Sequence, residues 1–462
     1  MVPDPSEKPG TPVNNDPRSH GLWERTAPPA PETAPLRGDA IADVAVVGAG
    51  YTGLSAALHL AETGARVVVL EGEAVGFGGS GRNVGLVNAG LWVKPDLVPA
   101  ALGPERGERL LALLGDAPRR VFDLVATHGI ACEAEGAGTL HCAVGPKGLA
   151  DLEDRARQWQ ARGAPVRLLD AAEAARLTGT PAYAGALLDE RAGTIQPLAY
   201  ARGLARAALA AGAAIHTGSP VLGVADEGGR WRLATPGGCV SAEWVVVATN
   251  AYTRAPWPEI RAEIARLPYF NIATAPLSDN LRGTVLPGRQ GAWDTKAVLT
   301  SFRLDAAGRL VIGSVGALRG TGGPVHRAWA RRTLRQLFPQ AGDVPFEAEW
   351  YGQIGMTTDA LPRFHRLARR VVAFSGYNGR GIAPGTAFGR VLADLVAGTI
   401  TEDALPLPVT APVPIGFQAV RELAYEVGAQ AVHLGEARLP GRRAEGRGDL
   451  ISRSGRNGTR PE

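Results

Sequence analysis

The chain has 462 residues, 45% hydrophobic and 20% charged, with 49 basic against 45 acidic side chains. That length allows two or three domains around a sizeable core, and no apolar run approaches the roughly 18 residues that span a bilayer. The net charge of +4 is arginine interspersed with acids, with lysine only at Lys8, Lys94, Lys147 and Lys296, so no basic patch suited to nucleic acid is expected.

Residues 1–36 form a Pro-rich polar leader without the charged-then-apolar layout of a signal peptide, which predicts a cytoplasmic protein. Cys132, Cys142 and Cys239 are too few and too scattered for a disulfide framework and read as small buried hydrophobes. After the leader, DVAVVGAGYTGLSAALHLAETGARVVVLE opens with a β-branched run at Val44 to Val47 and turns at Gly48. Leu54, Ala57, Leu58 and Ala61 then recur at helical spacing, Gly64 can end the helix, and Val67 to Leu70 read as a second buried strand closed by Glu71.

Gly48, Gly50 and Gly53 thus stand as GxGxxG between a strand and a helix. The first glycine permits the tight turn, the second lets backbone amides approach a pyrophosphate, and the third lets helix and strand pack closely. The phosphate meets the positive end of the helix dipole. Glu71, 23 residues past Gly48, can accept hydrogen bonds from both ribose hydroxyls and would repel a 2′-phosphate. The ligand is an adenine dinucleotide, NAD or FAD, and this fingerprint alone does not choose between them.

Further along, GGSGRNVG at 78–85 is rich in small residues and carries Arg82. Residues 96–148 alternate helical patterns such as RGERLLALL with an extended segment near GTLHCAV. Residues 197–253 hold a helix, LAYARGLARAALAAG, then short strands and the apolar WVVVATNAYT. From Pro268 to Trp350 the pattern is mostly strands and turns, an antiparallel sheet with one helix around WARRTLRQLF. Residues 438–462 read as a disordered tail.

A second glycine loop, GYNGRGIAPGTAFGR at 376–390, lies more than 300 residues beyond the first. Pro384 suits a first helical turn; Phe388, Val391, Leu392, Leu395 and Val396 come after it on one face, and Gly398 can end the helix. Reduced flavin carries negative charge on its pyrimidine edge, which a helix amino terminus and Arg380 would stabilise. One extended ligand held by two distant loops accounts for both and favours FAD. GxSxG, HExxH and Cys/His metal spacings are absent from the sequence, so no hydrolase or metal site is expected.

On VVGAGYTGLSAALHLAETG, GSGRN, TIQPLAYARGLARAA, VVVATNAYT, WDTK, GRLVIGS and GYNGRGIAPGTAFGRVLADL, the chain resembles the FAD-dependent D-amino-acid, glycine and sarcosine oxidase superfamily, particularly its gamma-glutamylputrescine oxidoreductase-like branch, from about Leu22 to Leu434. The resemblance implies an α/β (α+β overall) architecture: a Rossmann-like FAD-binding domain over 37–95, 185–255 and 351–420, interleaved with an antiparallel-sheet substrate domain over 96–184 and 256–350. It implies oxidation of the C–N bond of a small amine or amino acid by hydride transfer to flavin N5, giving an imine, with O2 or a quinone or other carrier as electron acceptor. Gly48, Gly50, Tyr51, Thr52, Gly53 and Glu71 then serve the adenosine diphosphate. Ser80, Gly81, Arg82 and Asn83 lie beside diphosphate and flavin, Val221 at adenine, Ala248 and Thr249 at the ribityl chain, and Gly376, Asn378, Gly379, Gly381 and Ile382 at the pyrimidine.

Two departures bear on the chemistry. The segment Gly308 to Gly313 lacks the lysine that helps reduce oxygen in the sarcosine-oxidase branch, and no counterpart of that branch's flavin-anchoring cysteine is present, so FAD is expected to be non-covalent. Candidate catalytic and positioning groups are Asn83, Tyr377 and Arg380, with Arg82, Trp293 and Tyr351. The rival readings are a NAD-dependent dehydrogenase, which leaves the second loop unexplained, and a non-catalytic flavoprotein subunit.

Overall fold

The computed structural model describes residues 19–436; the tail expected over 438–462 and the start of the leader lie outside them. Five strands run parallel in the spatial order Val371–Ser375, Gly238–Val247, Ala40–Val47, Val67–Leu70 and Ala214–His216. Val44 to Val47 are all buried, since a central parallel strand is covered on both faces and has no solvent side to alternate toward.

The register places Ala373, Val247, Val47, Leu70 and His216 in one row. Gly48, Glu71 and Ala248 therefore leave the sheet along one edge, the carboxyl ends of its parallel strands, where open α/β sheets bind ligands. The amide of Gly48 donates to the Leu70 carbonyl and that of Ala248 to the Val47 carbonyl, each at 2.9 Å.

The helix Tyr51–Glu62 buries Leu54, Ala57, Leu58 and Ala61 as its spacing predicts and stops before Gly64, which has φ 86°. Ile382–Val396 buries Phe388, Val391, Leu392 and Leu395 and ends before Gly398. These two helices touch backbone to side chain. Ser55 Oγ donates to the Thr386 carbonyl at 2.8 Å, and a Cβ on Gly389 would lie 2.6 Å from the Thr52 carbonyl oxygen. Packing at that distance draws both glycine loops to the same edge of the sheet.

A second sheet of eight strands runs in the order Phe346–Met356, Ala265–Pro276, Arg309–Val315, Thr300–Leu304, Gly291–Asp294, Thr139–Cys142, Ala186–Asp189 and Val166–Leu169. It departs from the expected pure antiparallel arrangement at one place, where Gly291–Asp294 and Thr139–Cys142 pair in parallel. Residues from two distant segments meet there without a hairpin to set their direction. Ala186–Asp189 falls on the FAD-binding side of the boundary at 185, yet it is hydrogen-bonded into this second sheet. Its four-residue length offers too little pattern to assign it by sequence.

Two terminal segments add support. In the leader, the short helix Leu22–Thr26 buries Leu22 and Trp23; the Trp23 indole meets Trp350 edge to face at 5.2 Å and donates to the Asn83 carbonyl at 2.9 Å. At the other end, Gln418–Gly435 lies across the second sheet through a buried histidine, His433. Ser314 gives its proton to the Leu299 carbonyl (2.7 Å), so His433 Nε2 donates to Ser314 Oγ (3.2 Å), and its Nδ1 accepts from His326 Nδ1 (2.8 Å). Among the described residues no helix is long and apolar enough to cross a membrane.

Candidate functional site

A cavity of about 860 Å³ opens at the carboxyl edge of the parallel strands, within the size range of small-molecule and cofactor sites. The first glycine loop lines it through Gly48, Gly50, Tyr51 and Thr52, and the second through Tyr377, Asn378, Gly379, Arg380, Gly381 and Ile382. Glu71, Ser80, Arg82, Asn83, Val221, Ala248, Thr249 and Trp293 line the same space.

Three of the singled-out glycines do not line it, and each is held where a side chain would collide. A Cβ on Gly53 would sit 2.0 Å from the Gly48 carbonyl, on Gly81 2.4 Å from the Gly76 carbonyl, and on Gly376 2.4 Å from Thr357 Cγ2. Tyr351 also faces away. Side chains alternate along Phe346–Met356, so Gly352 meets the cavity while Tyr351 packs into the core of the second sheet.

The loop at 79–83 is braced from all sides. Tyr51 N donates to Ser80 Oγ at 3.1 Å and the Tyr51 hydroxyl to the Ser80 carbonyl at 2.5 Å. The Asn83 amide nitrogen donates to the Gly79 and Ser80 carbonyls (2.9 and 3.0 Å) and to the Tyr51 hydroxyl (3.2 Å), and its oxygen accepts from Gly85 N (2.8 Å), which commits the whole side chain to protein partners. Trp350 Nε1 and Asn271 Nδ2 hold the Arg82 carbonyl at 3.0 and 3.1 Å. Arg82 itself is buried with its guanidinium 4.4 Å over Phe77, and its Nε and Nη2 have no partner among the described residues.

The second loop is fixed in turn. Gly376 N donates to Asn250 Oδ1 at 2.9 Å, and Asn378 Oδ1 accepts from Thr357 N at 2.8 Å. The Tyr377 hydroxyl shares a 2.7 Å hydrogen bond with Thr52. Arg380 is buried between Trp92 and Trp293, 5.2 and 5.6 Å from its guanidinium carbon; Nη1 donates to the Ala89 carbonyl, and Nε has no partner among the described residues. Burial, with the nearby charge of Arg155, pushes the Arg380 guanidinium down to about 9.

Glu71 accepts from Ala49 N (2.7 Å) and Glu73 N (2.9 Å), which fixes both carboxylate oxygens at the strand end. Burial nevertheless raises its pKa. The sequence does not single out Trp92, which sits in a segment without any periodic signal, and shows Asn250 and Tyr252 only as part of VVVATNAYT. Lys296, visible in the sequence only as part of WDTK, lines the cavity from the loop after Gly291–Asp294, while Arg309–Val315 offers no lysine. No cysteine lines the cavity among the described residues.

Comparison with known proteins gives this geometry its class. The sequence matches the DAO family, FAD dependent oxidoreductases, over residues 43–395. It is 33% identical to a gamma-glutamylputrescine oxidoreductase of Escherichia coli over 77% of this chain and 84% of that protein. It is 30% identical to a probable oxidoreductase, OrdL, of Haemophilus influenzae over 84% of this chain and 90% of that one. Glycine oxidase of Geobacillus kaustophilus superposes with a TM-score of 0.66 at 23% identity, over 80% of this chain and 99% of that structure, which shows a shared fold.

The chain belongs to the DAO family of FAD-dependent oxidoreductases. Its cofactor is FAD, and the residues present fit one. A Cβ on Gly50 would fill the space 2.9 Å from Ser80 Oγ, the buried Arg82 nitrogens lack partners among the described residues, and Glu71 is held as an acceptor beside the first loop.

Proposed function

We propose that FAD lies along this cavity with its diphosphate over Gly48 to Thr52 and Ser80, its adenosine toward Glu71 and Val221, and its ring system beside Ala248, Thr249 and the loop Gly376 to Ile382. The enzyme oxidises the C–N bond of a small amine or amino acid to an imine. When bound, FAD supplies the two-electron acceptor for this oxidation.

The observation that carries the reading is the buried, incompletely partnered Arg380 walled by Trp92 and Trp293. A buried cation with spare donor capacity suits a carboxylate, so the substrate class is an amine that bears one, such as an amino acid or an N-substituted amino acid. Relatives named for glycine and for D-amino acids support this class, and a gamma-glutamyl amine carries a carboxylate too.

The chain's own contributions are binding, orientation and desolvation. Arg82, Arg254, Lys296 and Arg380 line the cavity, and its only acids among the described residues are Glu71 and Glu73, of which Glu71 is held beside the first glycine loop. Cations around a dry site disfavour protonation of the substrate amine, so it reacts uncharged without a dedicated side-chain base. Trp92, Trp293 and Tyr269 exclude water and orient the substrate. Asn83 and Tyr377 are positioning residues in this reading, because their polar atoms are committed to the loops.

Screening amines and amino acids for bleaching of the bound flavin under nitrogen, then admitting air or a soluble quinone, tests the reading. Bleaching by carboxylate-bearing amines supports it, and the reoxidant then distinguishes an oxidase from a dehydrogenase. A flavin that no amine reduces would instead make the chain a non-catalytic subunit.

A further inference from the structure

Four cations line the cavity among the described residues, and their surroundings divide them. Arg82 stacks over Phe77 beside the first glycine loop, and Arg254 lies 3.7 Å from Glu73, one of the two cavity acids. Arg380 is held between Trp92 and Trp293, where the proposed function gives it the substrate carboxylate. Lys296 stands apart from the first loop and has no part in that assignment.

Its place is set by Trp293 and Asp294. Asp294 Oδ1 accepts from the backbone amides of Lys296 at 3.2 Å and Thr300 at 3.0 Å, which turns the chain directly after the strand Gly291–Asp294. Three residues of chain reach at most about 10 Å. Lys296 therefore stays close to Trp293, whose ring is 5.6 Å from the Arg380 guanidinium carbon, and the two cations flank one wall. Ser301, the register partner of Trp293, shares a 2.6 Å hydrogen bond with the Tyr269 hydroxyl, so these two polar groups on the same wall satisfy each other. Ala297 and Leu299 add apolar lining suited to methylenes.

The Lys296 ammonium is held loosely. Among the described residues its one hydrogen-bond partner is Glu436 Oε1 at 3.3 Å, and the two side chains are 30% and 34% exposed, the kind of ion pair that solvent weakens. Trp329 Nε1 donates to the other Glu436 oxygen at 2.8 Å, which anchors that carboxylate, and Glu436 does not line the cavity. An ammonium has three donors, so Lys296 keeps capacity for an anion on the cavity side.

Two cations on one wall, with apolar lining and with both cavity acids at the first loop, suit a ligand with two anionic ends joined by a short hydrocarbon. We propose that Lys296 selects amine substrates that carry a second carboxylate, its ammonium holding that group while Arg380 holds the first. The inference rests on the reading of Arg380 as the substrate carboxylate site and narrows the substrate class to short amino dicarboxylates. The planar guanidinium fixes one carboxylate in orientation, and the lysine, a point charge on a flexible stem, takes the other.

Anaerobic bleaching of the holoenzyme flavin by glutamate against glutamine, and by aspartate against asparagine, each as both enantiomers, tests this. Each pair exchanges one carboxylate for an amide of nearly the same shape. The acid of the favoured pair is expected to bleach at concentrations about tenfold or more below its amide. Lys296→Gln should remove that difference and Lys296→Arg should keep it, a pattern that a merely structural lysine would not produce. Equal concentrations for acid and amide, bleaching by monocarboxylic amines but by no dicarboxylate, or a preference that survives Lys296→Gln overturns the proposal. Glutarate and its monoamide, which have no amine to oxidise, separate this result from failure of the proposed function. If no amine bleaches the flavin, yet glutarate perturbs its visible absorbance at about tenfold lower concentration than the monoamide and Lys296→Gln removes the difference, the two-carboxylate site stands and the oxidation does not. Equal or absent perturbation by the two overturns the site as well.

Discussion

Thr52 and Tyr377 share a hydrogen bond of 2.7 Å across 325 positions of sequence. Thr52 stands in the first turn of the helix that leads out of the first glycine loop, and Tyr377 stands in the second loop, with its ring 6.0 Å from Phe388. Burial holds the Tyr377 phenol well above its ordinary range, so it stays protonated and serves as a tie between loops. Tyr377→Phe should therefore cost about 1 kcal/mol in denaturant unfolding. Turnover should fall far less than the roughly 10²-fold that loss of a general acid or base brings. A larger drop in kcat would make the phenol catalytic.

The helix crossing behind that bond is tighter still. A side chain at Gly389 would strike the Thr52 carbonyl at 2.6 Å, an atom of the helix backbone, whereas at Gly385 the nearest atom is Thr52 Oγ1 at 3.2 Å. Gly389→Val is expected to destabilise by about 1–3 kcal/mol, since backbone must move to admit it. Because the movement separates the two loops, FAD retention on a desalting column should fall as well. Gly385→Ala should show a smaller effect on both measures.

If Arg380 meets the substrate carboxylate as proposed, its replacement should separate substrate binding from folding. Replacing a buried charge that meets a carboxylate costs about 2–5 kcal/mol in binding. Arg380→Met should lower kcat/KM for carboxylate-bearing amines by about 30-fold or more, converted from that cost at 1.4 kcal/mol per tenfold. Amines without a carboxylate should be affected much less. Burial already disfavours the ionised guanidinium, so the apoprotein should be as stable as the wild type or more so. Equal losses for both substrate types would place Arg380 at the cofactor.

The docking of the C-terminal helix depends on pH. Burial lowers the pKa of both His326 and His433 below 6.5; Lys296 and Arg332 face His433 and lower it further, while Glu426 faces His326 and opposes the shift. Below pH 6.5 the unfolded chain takes up protons that the folded pair refuses, so this contribution is full above 6.5 and is lost as pH falls. Urea midpoints measured between pH 7.5 and 5.5 should decline, and His433→Phe should flatten that decline. An unchanged slope in the variant would show that other groups govern it.

The sequence and the structure agree most closely at the first glycine loop. The run Val44 to Val47, the turn at Gly48, the helical spacing from Leu54 and the acid at Glu71 all report local backbone geometry, and each lies where its pattern puts it. The second loop and its helix were legible for the same reason, because a proline near the helix start and a face of apolar residues at helical spacing need no distant partner to be read.

The tertiary structure decided which of those residues meet the cavity and which support it. Gly53, Gly81 and Gly376 share the look of lining glycines but are held by contacts at 2.0 to 2.4 Å, and Tyr351 turns away because Gly352 holds the alternate position of its strand. Trp92 and Lys296 reach the cavity from loops whose local sequence carries no periodic signal. Ala186–Asp189 joined the second sheet through partners that only the folded register defines. The physical division is one of range. Turns, helix ends and strand runs arise from steric and hydrogen-bonding rules within a few residues, whereas the face a side chain presents, and the group that meets it, depend on packing between segments hundreds of residues apart.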